Sequence, residues 1–129
     1  MTKAHETEIR VRYQETDNMG VVYYANYFVW FEVARTEFLR KSGVAYRDLE
    51  KKGIYLMVAS AFCEYKSPAR YDDIVRIETW IPELKNSSLK FAYRLFIGEK
   101  LIATGESVHV FTNKSRRPVR IPEEIRSLL

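Results

Sequence analysis

The segment from Tyr13 to Tyr27 contains the residues best suited to chemistry. Asp17 lies in a short polar stretch, Gly20 follows it, and an apolar run with helical spacing begins at about Tyr23. The start of a helix has backbone N–H groups without partners and the positive end of the peptide dipoles, so it stabilises developing negative charge. A carboxylate beside it suits attack on a carbonyl, or activation of water against one. This combination predicts hydrolysis of an acyl compound.

Asp17 also has a structural alternative, because aspartate commonly caps helices or closes turns. Its chemical role is either direct attack, giving a mixed anhydride, or deprotonation of water, and both need the ionised carboxylate. Glu15 could form an acid–base pair with Asp17, but we expect Glu15 on the solvated surface, where glutamate usually lies. We expect Gly20 to provide a backbone geometry that other residues resist, or close approach of a substrate.

Residue patterns predict the elements that position this segment. Residues 7–13 alternate between apolar and polar, which indicates a half-buried strand, and residues 23–41 have helical spacing. The first half of that helix is apolar on nearly every side, so we expect it inside the protein. A short helix is predicted at 45–52, strands at 54–65, 74–81, 89–97 and 101–111, and a terminal helical turn at 122–129. Consecutive strands with short connections imply an antiparallel sheet, which must curl around the helix or leave part of it to a second subunit.

Composition limits the class of protein. The chain has 129 residues, 47% hydrophobic and 29% charged, which fits one globular domain over residues 1–129. The single cysteine, Cys63, excludes an internal disulfide, and residues 1–6 lack the apolar run of a signal peptide. No apolar run approaches the ~20 residues that cross a bilayer, so the expected location is the cytoplasm. The net charge of +4 favours an anionic partner: nucleic acid, a membrane surface or a phosphorylated small molecule.

Several other chemistries lack their residues in this sequence. His5 and His109 are the only histidines and metal-ligand spacing is absent, so we expect neither a metal nor a separate cofactor. The sequence has no glycine-rich phosphate loop and no G-x-S-x-G motif. No recognisable nucleic-acid-binding module is present either, so nucleic acid is not an expected partner.

Residues 13–27, continued by 31–35, resemble the 4-hydroxybenzoyl-CoA thioesterase family, and within it the YbgC-type acyl-CoA thioesterase subgroup. Further matches lie at 65–73, 85–88 and 114–122, so the resemblance covers nearly the whole chain. It implies an α+β hotdog fold, in which an antiparallel five-stranded sheet wraps around one long central helix. It also implies a homo-oligomer, made of dimers that often pair into homotetramers, with active sites at the dimer interface.

By the same resemblance, the chain is a thioester hydrolase that cleaves an acyl-CoA to free acid and coenzyme A, which is part of the substrate and not a cofactor. Asp17, within the core Thr16-Asp17-x-x-Gly20, matches the catalytic carboxylate of the family. The backbone N–H of Tyr24 matches the group that polarises the carbonyl. Some relatives carry His where this sequence has Tyr24, so only the backbone role is carried over.

Coenzyme A carries a 3′-phosphate and a diphosphate, which Lys and Arg bind through charge-assisted hydrogen bonds. The densest positive cluster is formed by Lys114, Arg116, Arg117 and Arg120. A solvated hairpin tip stays open as the alternative for that cluster, because runs of charge are often just that. The predicted substrate-binding residues are Gly20, Tyr23, Asn26, Lys66, Arg70, Ser87, Ser88, Lys90, Lys114, Arg116 and Arg117.

Two other functions stay open at this point. The chain could be a scaffold protein that binds acyl-CoA or an acyl carrier protein without hydrolysis, which a thiol-release assay distinguishes from an enzyme. A hotdog dehydratase is less well supported. That chemistry uses a histidine paired with a carboxylate, and neither His5 nor His109 lies in a matching motif.

Overall fold

A computed structural model describes residues 3–129, so Met1 and Thr2, at the start of the predicted domain, lie outside the described residues. The strands are β1 (His5–Arg10), β2 (Tyr55–Tyr65), β3 (Ile74–Leu84), β4 (Ser88–Ile97) and β5 (Lys100–Thr112). They form one sheet in the order β1-β3-β4-β5-β2, with every pair antiparallel. The helices are α1 (Asn26–Lys41), α2 (Tyr46–Lys51) and α3 (Glu123–Arg126). Each predicted strand and helix is therefore present.

The first strand ends earlier than its alternation predicts. Strand β1 stops at Arg10, and the Val11 N–H donates to the carbonyl of Asp73 at 2.9 Å. Tyr13–Glu15 then form a 3-10 turn. The Val11 bond extends the β1–β3 pairing by one residue, and the 3-10 turn then leads directly into the segment that contains the candidate carboxylate.

Helix α1 packs one face on the sheet. Its buried residues are Tyr27, Trp30, Phe31, Ala34, Phe38 and Leu39. The Phe31 ring stacks on Tyr93 of β4, with ring centroids 4.1 Å apart. Gly105 of β5 permits this approach, since a Cβ there would lie 2.5 Å from Phe31 Cε2 and 2.8 Å from the Phe62 carbonyl oxygen. The missing side chain at position 105 thus sets how closely the helix lies on the sheet.

The sheet of one chain does not enclose the apolar first half of α1. Val29 is 49% exposed and Val33 is 37% exposed. Edge strand β2 is also open, with Met57, Val58 and Phe62 exposed, and its only hydrogen-bonded neighbour within the described sheet is β5. Of the two predicted ways to cover the helix, the sheet of a single chain therefore supplies only part. Both uncovered surfaces carry exposed apolar side chains.

A chain of polar side chains lies buried beneath α1. Arg35 Nη1 donates to the Tyr93 hydroxyl at 3.4 Å, that hydroxyl is 2.6 Å from Ser107 Oγ, and Ser107 Oγ is 2.7 Å from His109 Nε2. A guanidinium only donates, so the Tyr93 hydroxyl accepts from Arg35, and hydrogen bonds continue from that hydroxyl through Ser107 to the His109 ring. Burial, and secondarily the charge of Arg35, lowers the pKa of His109 to about 3. His109 is therefore neutral at ordinary pH.

Within residues 3–129, each helix is too short or too polar to cross a membrane.

Candidate active site

Asp17 lies in a tight loop closed by backbone hydrogen bonds. Its N–H donates to the carbonyl of Val21 at 2.8 Å, and the Gly20 N–H donates to the Asp17 carbonyl at 3.1 Å. Gly20 has a φ of +78°, in the left-handed region that favours glycine. Asp17 Oδ1 accepts the N–H of Met19 at 2.8 Å. Asp17 therefore does close a turn, but no hydrogen bond within residues 3–129 uses its other oxygen, Oδ2.

Asp17 lines a cavity of about 380 Å³. The other lining residues are Val21, Val22, Tyr24, Tyr27, Tyr65, Lys66, Ser67 and Pro68. The Asp17 loop, the start of α1 and the end of β2 therefore meet at one cleft. A mostly apolar and aromatic lining with a few polar groups is typical of sites that bind small molecules.

Some of the backbone N–H groups around the start of α1 donate hydrogen bonds to backbone carbonyls, and others have no acceptor in the described residues. The Tyr23 N–H donates to the Glu15 carbonyl at 2.8 Å, and the Asn26 N–H donates to the Tyr23 carbonyl at 2.9 Å. Between them, the N–H groups of Tyr24 and Ala25 have no acceptor among the residues that the structure describes. The Tyr24 N–H thus has no partner among the described residues, and Tyr24 lines the cavity.

Tyr65, at the end of β2, holds the backbone carbonyl of Tyr24 in place. Its hydroxyl donates to the Tyr24 carbonyl at 2.9 Å, and its ring meets the Tyr27 ring edge-on with centroids 4.8 Å apart. Burial raises the pKa of the Tyr65 hydroxyl, so it stays protonated and able to donate. The candidate residues chosen from the sequence include neither Tyr65 nor Tyr27, because only the fold brings β2 against the loop.

Glu15 is buried, and the prediction that it is a solvated surface residue is wrong. Its exposed fraction is 4%. Its Oε1 accepts the Arg12 N–H at 2.8 Å, and its Oε2 accepts the indole N–H of Trp30 at 2.9 Å. These two hydrogen bonds connect the loop to α1. Because Glu15 does not line the cavity, it forms no acid–base pair with Asp17 there.

Comparison with known proteins identifies the family. A family model described as the thioesterase-like superfamily matches residues 11–129. The chain belongs to this superfamily. The thioesterase is 36% identical over 102 residues to the acyl-CoA thioester hydrolase YbgC of Escherichia coli O157:H7, covering 79% of this chain and 76% of that protein. The resemblance stated from the sequence is confirmed.

Solved structures support the same assignment. A DHNA-CoA thioesterase from Staphylococcus aureus matches this thioesterase with a TM-score of 0.88 at 35% identity, over 91% of this chain and 80% of that one. A variant of 4-hydroxybenzoyl CoA thioesterase has the same fold, with a TM-score of 0.88 at 22% identity, over 98% of this chain and 99% of that one. The predicted hotdog fold is confirmed.

Five of the predicted substrate-binding residues of the thioesterase lie in or beside the Asp17 loop. They are Gly20, Tyr23, Asn26, Lys66 and Arg70. Lys66 lines the cavity and its Nζ lies 2.8 Å from the carboxylate of Glu64. The Asn26 side chain donates to the Glu15 carbonyl at 2.9 Å, so it joins the loop to α1. The Arg70 side chain is exposed and does not line the cavity.

The remaining predicted residues lie elsewhere in the thioesterase. Ser87 lies in the turn between β3 and β4, and Ser88 is the first residue of β4. Residues 114–117 form an exposed turn after β5. Lys90 Nζ lies 3.7 Å from Glu83 and 3.8 Å from Glu106, so its charge is shared between two carboxylates.

The 114–117 turn and Asp17 lie at opposite ends of the sheet. Tyr65 pairs with Ala103 at the Asp17 end, whereas Tyr55 pairs with Thr112 at the other end. The strand from Ala103 to Thr112 spans roughly 30 Å at ~3.4 Å per residue. A single chain therefore does not bring Lys114, Arg116 and Arg117 to Asp17, which the sequence could not reveal without the strand order.

Proposed function

We propose that this thioesterase hydrolyses an acyl-CoA to the free acid and coenzyme A, with Asp17 as nucleophile or general base. The Tyr24 N–H donates to the thioester carbonyl oxygen. The observation that supports this proposal is that Asp17, with Oδ2 free, and the unpaired N–H of Tyr24 belong to residues lining one cavity. A thioester bound there meets a carboxylate at its carbon and a hydrogen-bond donor at its oxygen.

Both routes open to Asp17 balance in atoms and charge. As a general base, it takes a proton from water, the hydroxide adds to the acyl carbon, and the C–S bond breaks as the coenzyme A thiolate leaves and is protonated. As a nucleophile, it adds to the acyl carbon and expels the thiolate, and water then hydrolyses the mixed anhydride. Each route develops negative charge on the carbonyl oxygen, which the Tyr24 N–H and the start of α1 stabilise.

In this proposal the phosphates of coenzyme A bind a second copy of the chain. Strand β2 has an edge without a partner strand in the described sheet and apolar residues that are exposed. Two copies paired antiparallel along β2 would bring Tyr55 of one beside Tyr65 of the other. Because Tyr55 pairs with Thr112, the 114–117 turn of one copy would approach the cavity of the other. A homo-oligomer of this kind completes both sites.

Arg116→Gln and Arg117→Gln are each expected to raise KM for an acyl-CoA about tenfold, because each removes a charge-assisted hydrogen bond to phosphate. The value of kcat should change little, since the reacting atoms are untouched. The rise should shrink at high ionic strength, where the phosphate charge is screened. Arg47→Gln, at an exposed position of α2, is the matched control. If both variants keep the wild-type KM, the cluster is a solvated turn.

Release of free thiol tests the proposed function directly. The wild-type protein is incubated with acyl-CoAs of several chain lengths and with an aryl-CoA, and thiol is trapped with a chromogenic reagent. We expect saturable, catalytic release with at least one of them. Ligand-induced thermal stabilisation without any thiol release over a long incubation would instead identify a scaffold that binds acyl-CoA, and would contradict the enzyme.

A further inference from the structure

Glu15 uses its backbone carbonyl to hold the first turn of α1. That oxygen accepts the Tyr23 N–H at 2.8 Å and the Asn26 side-chain N–H at 2.9 Å. Tyr24 lies between these two residues, and its own N–H has no acceptor in the described part of the chain. The backbone of Glu15 is therefore bonded to residues on both sides of the proposed oxyanion donor.

The carboxylate of Glu15 holds a second point of the same helix. Its Oε2 accepts the indole N–H of Trp30, which lies one turn after Asn26 and is 1% exposed. Its Oε1 accepts the Arg12 N–H, which closes the turn that leads to Asp17. Two contacts on successive turns of α1 restrict rotation of the loop about the helix. Asp17 follows Glu15 by two residues, so its position relative to α1 is restricted as well.

We propose that Glu15 is a positioning residue that holds the Asp17 carboxylate and the Tyr24 N–H in register for the reaction. This inference rests on the proposed function. Glu15 does not line the cavity and touches no substrate in this proposal, so it acts only through the loop. Glutamine is nearly the same size but offers one acceptor oxygen. The Arg12 or Trp30 N–H then loses its partner inside the protein, and the loop shifts.

Glu15→Gln is expected to lower kcat about 10²-fold, because a misplacement of about 1 Å at the reacting groups costs that much. KM should stay within about twofold, since substrate contacts are unchanged. Trp30→Phe keeps an aromatic ring but removes the indole N–H, and should lower kcat about tenfold for the same reason. The double variant should lower kcat by less than the product of the two single effects, because both changes alter the same contact between Glu15 and Trp30.

Kinetics are measured by thiol release, at a temperature below the unfolding midpoint of every variant as followed by circular dichroism. Glu99→Gln, at an exposed turn after β4, is the matched control and should keep the wild-type kcat. Unchanged kcat in Glu15→Gln, or independent, multiplying effects in the double variant, would overturn the proposal. If Glu15→Gln does not fold, Trp30→Phe takes its place: a lower kcat with an unchanged KM supports the proposal, and an unchanged kcat contradicts it. Absence of thiol release by the wild type would instead overturn the proposed function.

Discussion

Asp17→Asn is expected to lower kcat for acyl-CoA hydrolysis by about 10³-fold, within the range for loss of a general base. Asparagine keeps a side-chain oxygen for the Met19 N–H, which Asp17 Oδ1 accepts at 2.8 Å, so the loop should keep its shape. Its amide, however, neither attacks a thioester nor accepts a proton from water. The same variant should still bind acyl-CoA, since the cavity lining is otherwise unchanged.

The comparison variant for this prediction is Asp72→Asn. The Asp72 side chain is 62% exposed and pairs with Arg10 at 3.1 Å, away from the cavity lining. Its φ of +72° is one that asparagine tolerates. Thiol-release rates should fall in Asp17→Asn alone. Normal turnover by Asp17→Asn on every thioester that the wild type cleaves would contradict the assignment of the catalytic carboxylate.

Rapid quenching separates the two roles of Asp17. If Asp17 attacks the acyl carbon, peptide mass spectrometry after a single turnover should find the acyl mass on the peptide that contains Asp17. If it deprotonates water, no acylated peptide should form at any quench time.

Much of the fold followed from residue periodicity, and the differences arise from contacts between residues far apart in the chain. The alternation of residues 7–13 indicates a strand, but Val11 donates to Asp73 and Tyr13–Glu15 turn away. That donor–acceptor pair joins segments 62 positions apart, and no local pattern reports it. The long helix was predicted from its apolar spacing, but the sheet of one chain covers only one of its two apolar faces. The other face, with Val29 and Val33, stays exposed in one chain.

The candidate site was predictable at Asp17 and less so around it. A loop carboxylate just before an apolar helix is visible in the sequence, whereas the burial of Glu15 depends on Trp30, which lies 15 positions later. Charge clustering was equally visible at residues 114–117. The distance of that turn from Asp17 follows from the order of strands in the sheet, which composition and spacing do not contain.

The free energy of unfolding is expected to fall by about 3 kcal/mol between pH 6.5 and pH 4 because of His109 alone. The pKa of His109 is about 3 in the folded protein, against an ordinary value of 6.5. Below pH 6.5 the unfolded chain therefore takes up a proton that the folded protein does not, and stability falls as the pH falls. Burial is the main cause. Arg35 adds to it, because its positive charge disfavours a second positive charge on the imidazole ring.

Denaturant unfolding at several pH values between 6.5 and 4 measures this effect as a slope of up to about 1.4 kcal/mol per pH unit. His109→Gln should lose that slope, whatever its stability at neutral pH, because glutamine does not titrate and can still accept from Ser107.

His5→Gln is the control. His5 is only partly buried, and its pKa is lowered by burial and by the nearby Lys41 and Lys3, so removing it should leave most of the slope. The carboxylates are common to all three proteins and cancel in the comparison. Equal slopes in His109→Gln and the wild type would mean that His109 takes up its proton as readily in the folded protein as in the unfolded chain.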